Sequence, residues 1–166
     1  MKIKVLVLAL ILCITAGTMV HAFGLGAQFN FSAGEIFAPG VSVLVSPADF
    51  AHLAFNWYID FDNVSIIGLT FDLVPLVLPI STFKAGSFNF TFGVGLYTNL
   101  ILADERTITG GLRIPVGFNL LLGPRTFEIF THVAPSFGVD LFPSLALSNP
   151  FFPIALGARL WIRSGK

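Results

Sequence analysis

Phe88-Asn89-Phe90-Thr91-Phe92-Gly93-Val94-Gly95-Leu96 is the stretch on which the fold turns. Its large apolar residues fall on every second position, with Asn, Thr and Gly between them. Successive strand side chains point to opposite faces, so this is a strand with one apolar face and one sparse face. The rhythm continues outward. Toward the C-terminus, Leu112, Ile114, Val116, Phe118 and Leu120 alternate with Arg113, Pro115, Gly117 and Asn119. Phe127, Ile129, Val133, Phe137 and Val139 alternate with Glu128, His132, Ser136 and Asp140. Phe152, Ile154, Leu156, Ala158, Leu160 and Ile162 alternate with Gly157, Arg159, Trp161 and Arg163. Toward the N-terminus, Phe23, Leu25, Ala27, Phe29 and Phe31 alternate with Gly24, Gly26, Gln28, Asn30 and Ser32, and Leu53, Phe55, Trp57 and Ile59 with His52, Asn56, Tyr58 and Asp60.

These runs define eight predicted strands, at 23–32, 39–46, 51–60, 64–73, 87–98, 110–121, 126–140 and 152–163. Their lengths approach the roughly nine to eleven residues that a tilted strand needs to cross a bilayer. Eight is even and the smallest size of such barrels. The expected fold is therefore all-β: an eight-stranded antiparallel up-and-down transmembrane β-barrel. A spanning helix does not fit. The longest apolar run after the N-terminus, Val64 to Ile80, is interrupted by Asp72, Pro75 and Pro79, and a helix interior tolerates neither a bare carboxylate in lipid nor repeated proline.

Composition supports the membrane. Hydrophobic residues make up 55% of the 166-residue chain and charged residues 11%, against about 25% charged in an ordinary soluble domain. A zero formal net charge leaves no basic field for nucleic acid. A soluble barrel would turn its apolar face inward. Phe on most strands would overfill an eight-stranded interior, and a face of Gly, Ser, Asn and Ala makes a poor solvated surface. The apolar face is thus expected to meet lipid. No Asp, Glu, Lys or Arg falls on it, whereas Asp72, Arg113, Glu128 and Arg159 fall on the other. A lipid-facing Arg or Lys at the midplane costs about 2–4 kcal/mol; inside, these four form the expected lumen salt-bridge network, which plugs the barrel.

The N-terminus reads as a secretory signal. Lys2 and Lys4 precede an apolar Val5–Ile14 core, and Val20-His21-Ala22 offers a cleavage site. Residues 1–22 are read as a cleaved signal peptide and 23–166 as the outer-membrane β-barrel, mildly acidic once Lys2 and Lys4 are gone. Cys13 lies within the signal, so the mature barrel carries no thiol.

Barrels of this kind start and end in the periplasm. That puts loops 33–38, 61–63, 99–109 and 141–151 at the cell surface, with Asp104-Glu105-Arg106 the most polar tip. The periplasmic connections expected are 47–50, 74–86 and 122–125. Leu122-Gly123-Pro124-Arg125 has the residues of a tight turn, but 74–86 is long and apolar for one, and either extends the strands or lies at the membrane interface. Pro115 and Pro135 fall inside strands. Each removes a ladder donor, which predicts a local bulge.

His132 and Ser136 share a face with Glu128 and Asp140. The set suggests a hydrolase, yet residues four apart on a strand lie about 13 Å apart and cannot bond. No enzyme activity and no cofactor are expected. His52 and His132 show no metal-ligand spacing.

The second half resembles a known family. Arg113-Ile114-Pro115-Val116-Gly117-Phe118, followed by Phe127-Glu128-Ile129-Phe130-Thr131-His132-Val133-Ala134-Pro135-Ser136, is similar to the small outer-membrane β-barrels of spirochaetes. These are OmpA-transmembrane-domain-like and were first catalogued as a domain of unknown function. Phe23-Gly24-Leu25-Gly26-Ala27-Gln28, Phe92-Gly93-Val94-Gly95 and Gly157-Ala158-Arg159-Leu160-Trp161-Ile162 fit the same pattern. The resemblance implies a surface-exposed monomeric barrel in the cell outer membrane, delivered by the barrel assembly machinery, surrounded by outer-membrane lipid, and in some relatives bound to a host surface protein. Two functions follow: a non-enzymatic barrel with a closed lumen that serves envelope structure and surface binding, or a narrow pore or conduit for small molecules.

Overall fold

The computed structural model describes residues 22–33, 38–59, 65–102, 106–123 and 126–163. Residues 1–21, all but the last of the segment read as a signal peptide, and the tips of several loops lie outside them. Strands form where the period of two was read: β1 (Ala22–Ala33), β2 (Ala38–Ala48), β3 (Ala51–Ile59), β4 (Ser65–Phe83), β5 (Gly86–Leu102), β6 (Thr107–Arg113), β7 (Val116–Leu122), β8 (Phe127–Val133), β9 (Ser136–Phe142), the short β10 (Ala146–Leu147) and β11 (Phe152–Arg163). All pairings are antiparallel. Sequential strands pair from β1 to β5, and β1 also pairs β11, which closes the sheet.

β6 and β7 are two halves of one wall strand, since both pair β5; β8 and β9 are likewise halves of the next. The wall therefore has eight strands. The halves part at Pro115 and Pro135, but not as bulges, which corrects the expectation. The register runs unbroken through both prolines: Gly95 faces Arg113 and Phe92 faces Val116 in step. Each proline lacks only its donor, while its carbonyl still accepts, from Gly93 N at 2.9 Å for Pro115 and from Ile114 N at 2.9 Å for Pro135. Register shifts fall elsewhere, between Val45 and Ala48, Leu73 and Leu76, and Pro79 and Ser81, with one more between Ile108 and Thr109.

The 74–86 segment extends the strands rather than forming the periplasmic connection. It completes β4 and opens β5, joined by the two-residue turn Lys84-Ala85. Beyond Val74, whose N–H donates to Phe50 O, no described strand lies on the other side of β4. Residues 75–83 thus form an edge, and Pro75 and Pro79 sit on it, where a missing donor disturbs the sheet least. The loop at 99–109 is also shorter than expected, because β5 runs to Leu102 and β6 begins at Thr107. Likewise β9 reaches Phe142 and β10 occupies part of 141–151. Gly123 closes the β7–β8 hairpin with φ near 64°, a conformation glycine takes without strain.

Apolar side chains face out and polar ones face in. Phe29, Leu112 and Ile162 are 63%, 64% and 63% exposed, while Asn30, Asn56, Ser46 and Ser136 are fully buried. A water-soluble protein would be built the other way round. Among the described side chains, no charge within a strand points outward. Phe88 and Phe118 stack on the outer surface at 5.5 Å, with Phe90 edge-on to Phe118. Inside, small residues let the strands close around the lumen; a Cβ on Gly117 would strike the Thr131 carbonyl.

Candidate functional site

The lumen holds two polar chains and a charged centre. The first chain crosses β1, β2 and β3. Gln28 Nε2 donates to Asn30 Oδ1 at 2.7 Å, Asn30 donates to Ser42, and Ser42 Oγ donates to Asn56 Oδ1 at 2.6 Å. The second crosses β5, β7, β8 and β11. Asn89 Nδ2 donates to Asn119 Oδ1 at 2.8 Å, Asn119 Nδ2 to Glu128 Oε1 at 2.7 Å, and Trp161 Nε1 to Glu128 Oε2 at 2.7 Å. Period-two alternation is what aims these side chains inward from every strand.

Asp72, Arg113, Glu128 and Arg159 all lie on the inner face, and they meet as two pairs. Arg113 Nε is 3.2 Å from Asp72 Oδ1, without the alignment of a hydrogen bond, so this contact is chiefly Coulombic. Arg159 Nη1 is 3.7 Å from Glu128 Oε2. Both pairs are buried. Burying charge is costly, and such pairs persist only when further polar contacts surround them. Here those contacts come from histidines that the alternation put on the inner face but not in this network. His52 Nδ1 lies 2.7 Å from Arg159 Nη1 and 3.0 Å from Ser46 Oγ, and His132 Nε2 lies 3.3 Å from Arg113 Nη2. The Arg159 guanidinium also covers the Phe130 ring at 4.9 Å and the Trp161 ring at 5.2 Å, a geometry that favours a cation.

Phe130 is the side chain the sequence reading missed. It is a large aromatic in a lumen expected to be small and polar, and it stacks on His132 at 5.9 Å. Its parity with Glu128 and His132 already puts it on the inner face. His132 and Ser136 do not form a catalytic pair: Ser136 Oγ donates to the Ala134 carbonyl at 2.8 Å. No cluster of three or more His, Cys, Asp or Glu suited to a metal occurs among the described residues.

Cavities lie along the barrel at both ends and at its centre, lined by described residues. One of about 210 Å³ sits at the end opposite the termini, walled by Tyr58, Tyr97 and Phe151 among others. One of about 60 Å³ lies at the charged centre. One of about 550 Å³ opens at the other end, beside Val77, Pro79, Lys84 and Trp161. The middle space has room for a few waters and no solute.

The class of protein this defines is a small outer-membrane β-barrel. The fold is similar to the N-terminal β-barrel domain of OprF from Pseudomonas aeruginosa, with a TM-score of 0.53 and 13% identity over 86% of this chain and 98% of that one. Neisserial surface protein A aligns with a TM-score of 0.44 and 11% identity over 84% and 95% of the two chains. Ail, the attachment invasion locus protein of Yersinia pestis, aligns with a TM-score of 0.41 and 11% identity over 87% and 100%. A scan against protein-family models finds no match, and neither does a search of curated proteins.

Proposed function

We propose that the chain is a non-enzymatic outer-membrane barrel whose lumen is shut, serving envelope structure and presenting its loop end for binding at the cell surface. One observation carries the closure: the space narrows to about 60 Å³ where Arg159, Glu128, His52 and Phe130 converge. In this reading Asp72, Arg113, Glu128 and Arg159 act as a salt-bridged plug. Outer-membrane lipid surrounds the apolar face, residues 1–22 are removed on export, and the barrel assembly machinery inserts the chain. The partner at the surface, a host protein included, belongs to the same proposal. The kinship with spirochaete barrels rests on the 113–136 motif.

Planar-bilayer recording with refolded protein tests the closure. Silent membranes are the expected result. Discrete conductance steps would replace this reading with the narrow pore.

A further inference from the structure

We propose that the cavity at the loop end is a binding site for a small organic ammonium ion about the size of choline, held by the Asp140 carboxylate against aromatic walls. This rests on the proposed orientation, in which that end faces the cell exterior.

Size, wall and charge each point to that ligand. At about 210 Å³ the cavity exceeds the roughly 150 Å³ space that admits benzene. Tyr58, Tyr97 and Phe151 line it, and the Tyr97 and Phe151 rings meet edge-to-face at 5.0 Å. The faces of such rings attract an ammonium group within about 6 Å, most strongly where water is excluded. Tyr58 and Tyr97 are buried, and Ile66 and Ile101 pack with Tyr58, so part of the site is dry. Asn99, Thr107 and Thr109 add acceptors beside the apolar wall. That mixture of apolar lining and a few convergent polar groups is typical of a small-molecule pocket.

Asp140 supplies the negative charge. It lines the same cavity, is partly buried, and makes no ion pair with any described base. A carboxylate on the wall of a partly dry cavity attracts cations and repels anions.

The test is calorimetric titration of the refolded barrel in maltoside micelles, which lack a choline headgroup. Choline is titrated beside its neutral isostere, 3,3-dimethyl-1-butanol. The expected result is choline binding at least about tenfold tighter than the isostere, lost by a similar factor in Asp140→Asn and weakened in Phe151→Leu. Equal affinities, no choline binding, or binding indifferent to Asp140→Asn would overturn the proposal. Should Asp140→Asn fail to fold, proton contacts from the choline methyls to the Tyr97 and Phe151 rings decide it in the wild-type barrel, and their absence counts against the site. Conductance is read separately, so an open pore would sink the closed lumen without touching this site, and the reverse.

Discussion

The indole N–H of Trp161 donates to Glu128 Oε2 across 2.7 Å, within the barrel. The other carboxylate oxygen accepts from Asn119 at 2.7 Å, and Arg159 stands 3.7 Å from Oε2. Glu128, on β8, is therefore held from both neighbouring strands at once, β7 and β11. Trp161→Phe keeps an aromatic ring beneath Arg159 and removes the donor together with part of the ring. Leaving a buried charged acceptor short of one partner costs about 1–3 kcal/mol. Denaturant titration in detergent, followed by far-UV dichroism, is expected to show that loss with the barrel still folded. No change in midpoint would mean that Arg159 alone satisfies the oxygen.

Arg159→Leu removes the cation shared by Glu128, His52, Phe130 and Trp161. The buried carboxylate left behind makes the loss about 3–5 kcal/mol. Thermal stability falls, read by gel mobility of heated against unheated samples, while bilayer conductance stays silent because Trp161 and Phe130 still fill the section. A large conductance rise with unchanged stability would refute the plug.

The double variant Arg159→Leu with Glu128→Leu leaves no orphaned charge between the two. It is expected to be more stable than Arg159→Leu alone, since a buried pair often contributes little net stability while half of one is strongly unfavourable. A double variant that is the weakest of the set, with additive losses, would show that the two side chains act independently.

Leu96 faces outward one residue from the level of the Arg113–Asp72 pair. Leu96→Arg places a charge on the lipid face near mid-barrel and is expected to cost about 2–4 kcal/mol in refolding equilibria. Leu96→Val is close to neutral. Equal tolerance of both would mean that this face is not in hydrocarbon.

Much of the wall was legible because a barrel repeats one rule, with alternate residues answering to lipid and to lumen. Parity put Asp72, Arg113, Glu128 and Arg159 on one face, and the crowding of Phe on the other put that face inside. It failed at 74–86, where Val74-Pro75-Leu76-Val77-Leu78-Pro79 is apolar on both faces and erases the alternation. That edge has no outer neighbour among the described residues, and prolines that signal a break in a central strand are tolerated on it. Pro115 and Pro135 misled in the opposite way: a missing donor interrupts the ladder without shifting register. The pairing of the site residues was not legible at all. His52 and Arg159 are 107 residues apart, and only closure of the sheet brings them together.

The outward face has one further consequence. Its side chains are exposed rather than locked against fixed partners, so Leu, Ile, Val and Phe are expected to replace each other there at little cost. Inner positions such as Gly117 and Glu128 are fixed by backbone clearance and hydrogen bonds. Roughly every second letter is free to drift while its chemical kind is kept. Two such chains can share an architecture at 13% identity, and the alternation outlasts the spelling.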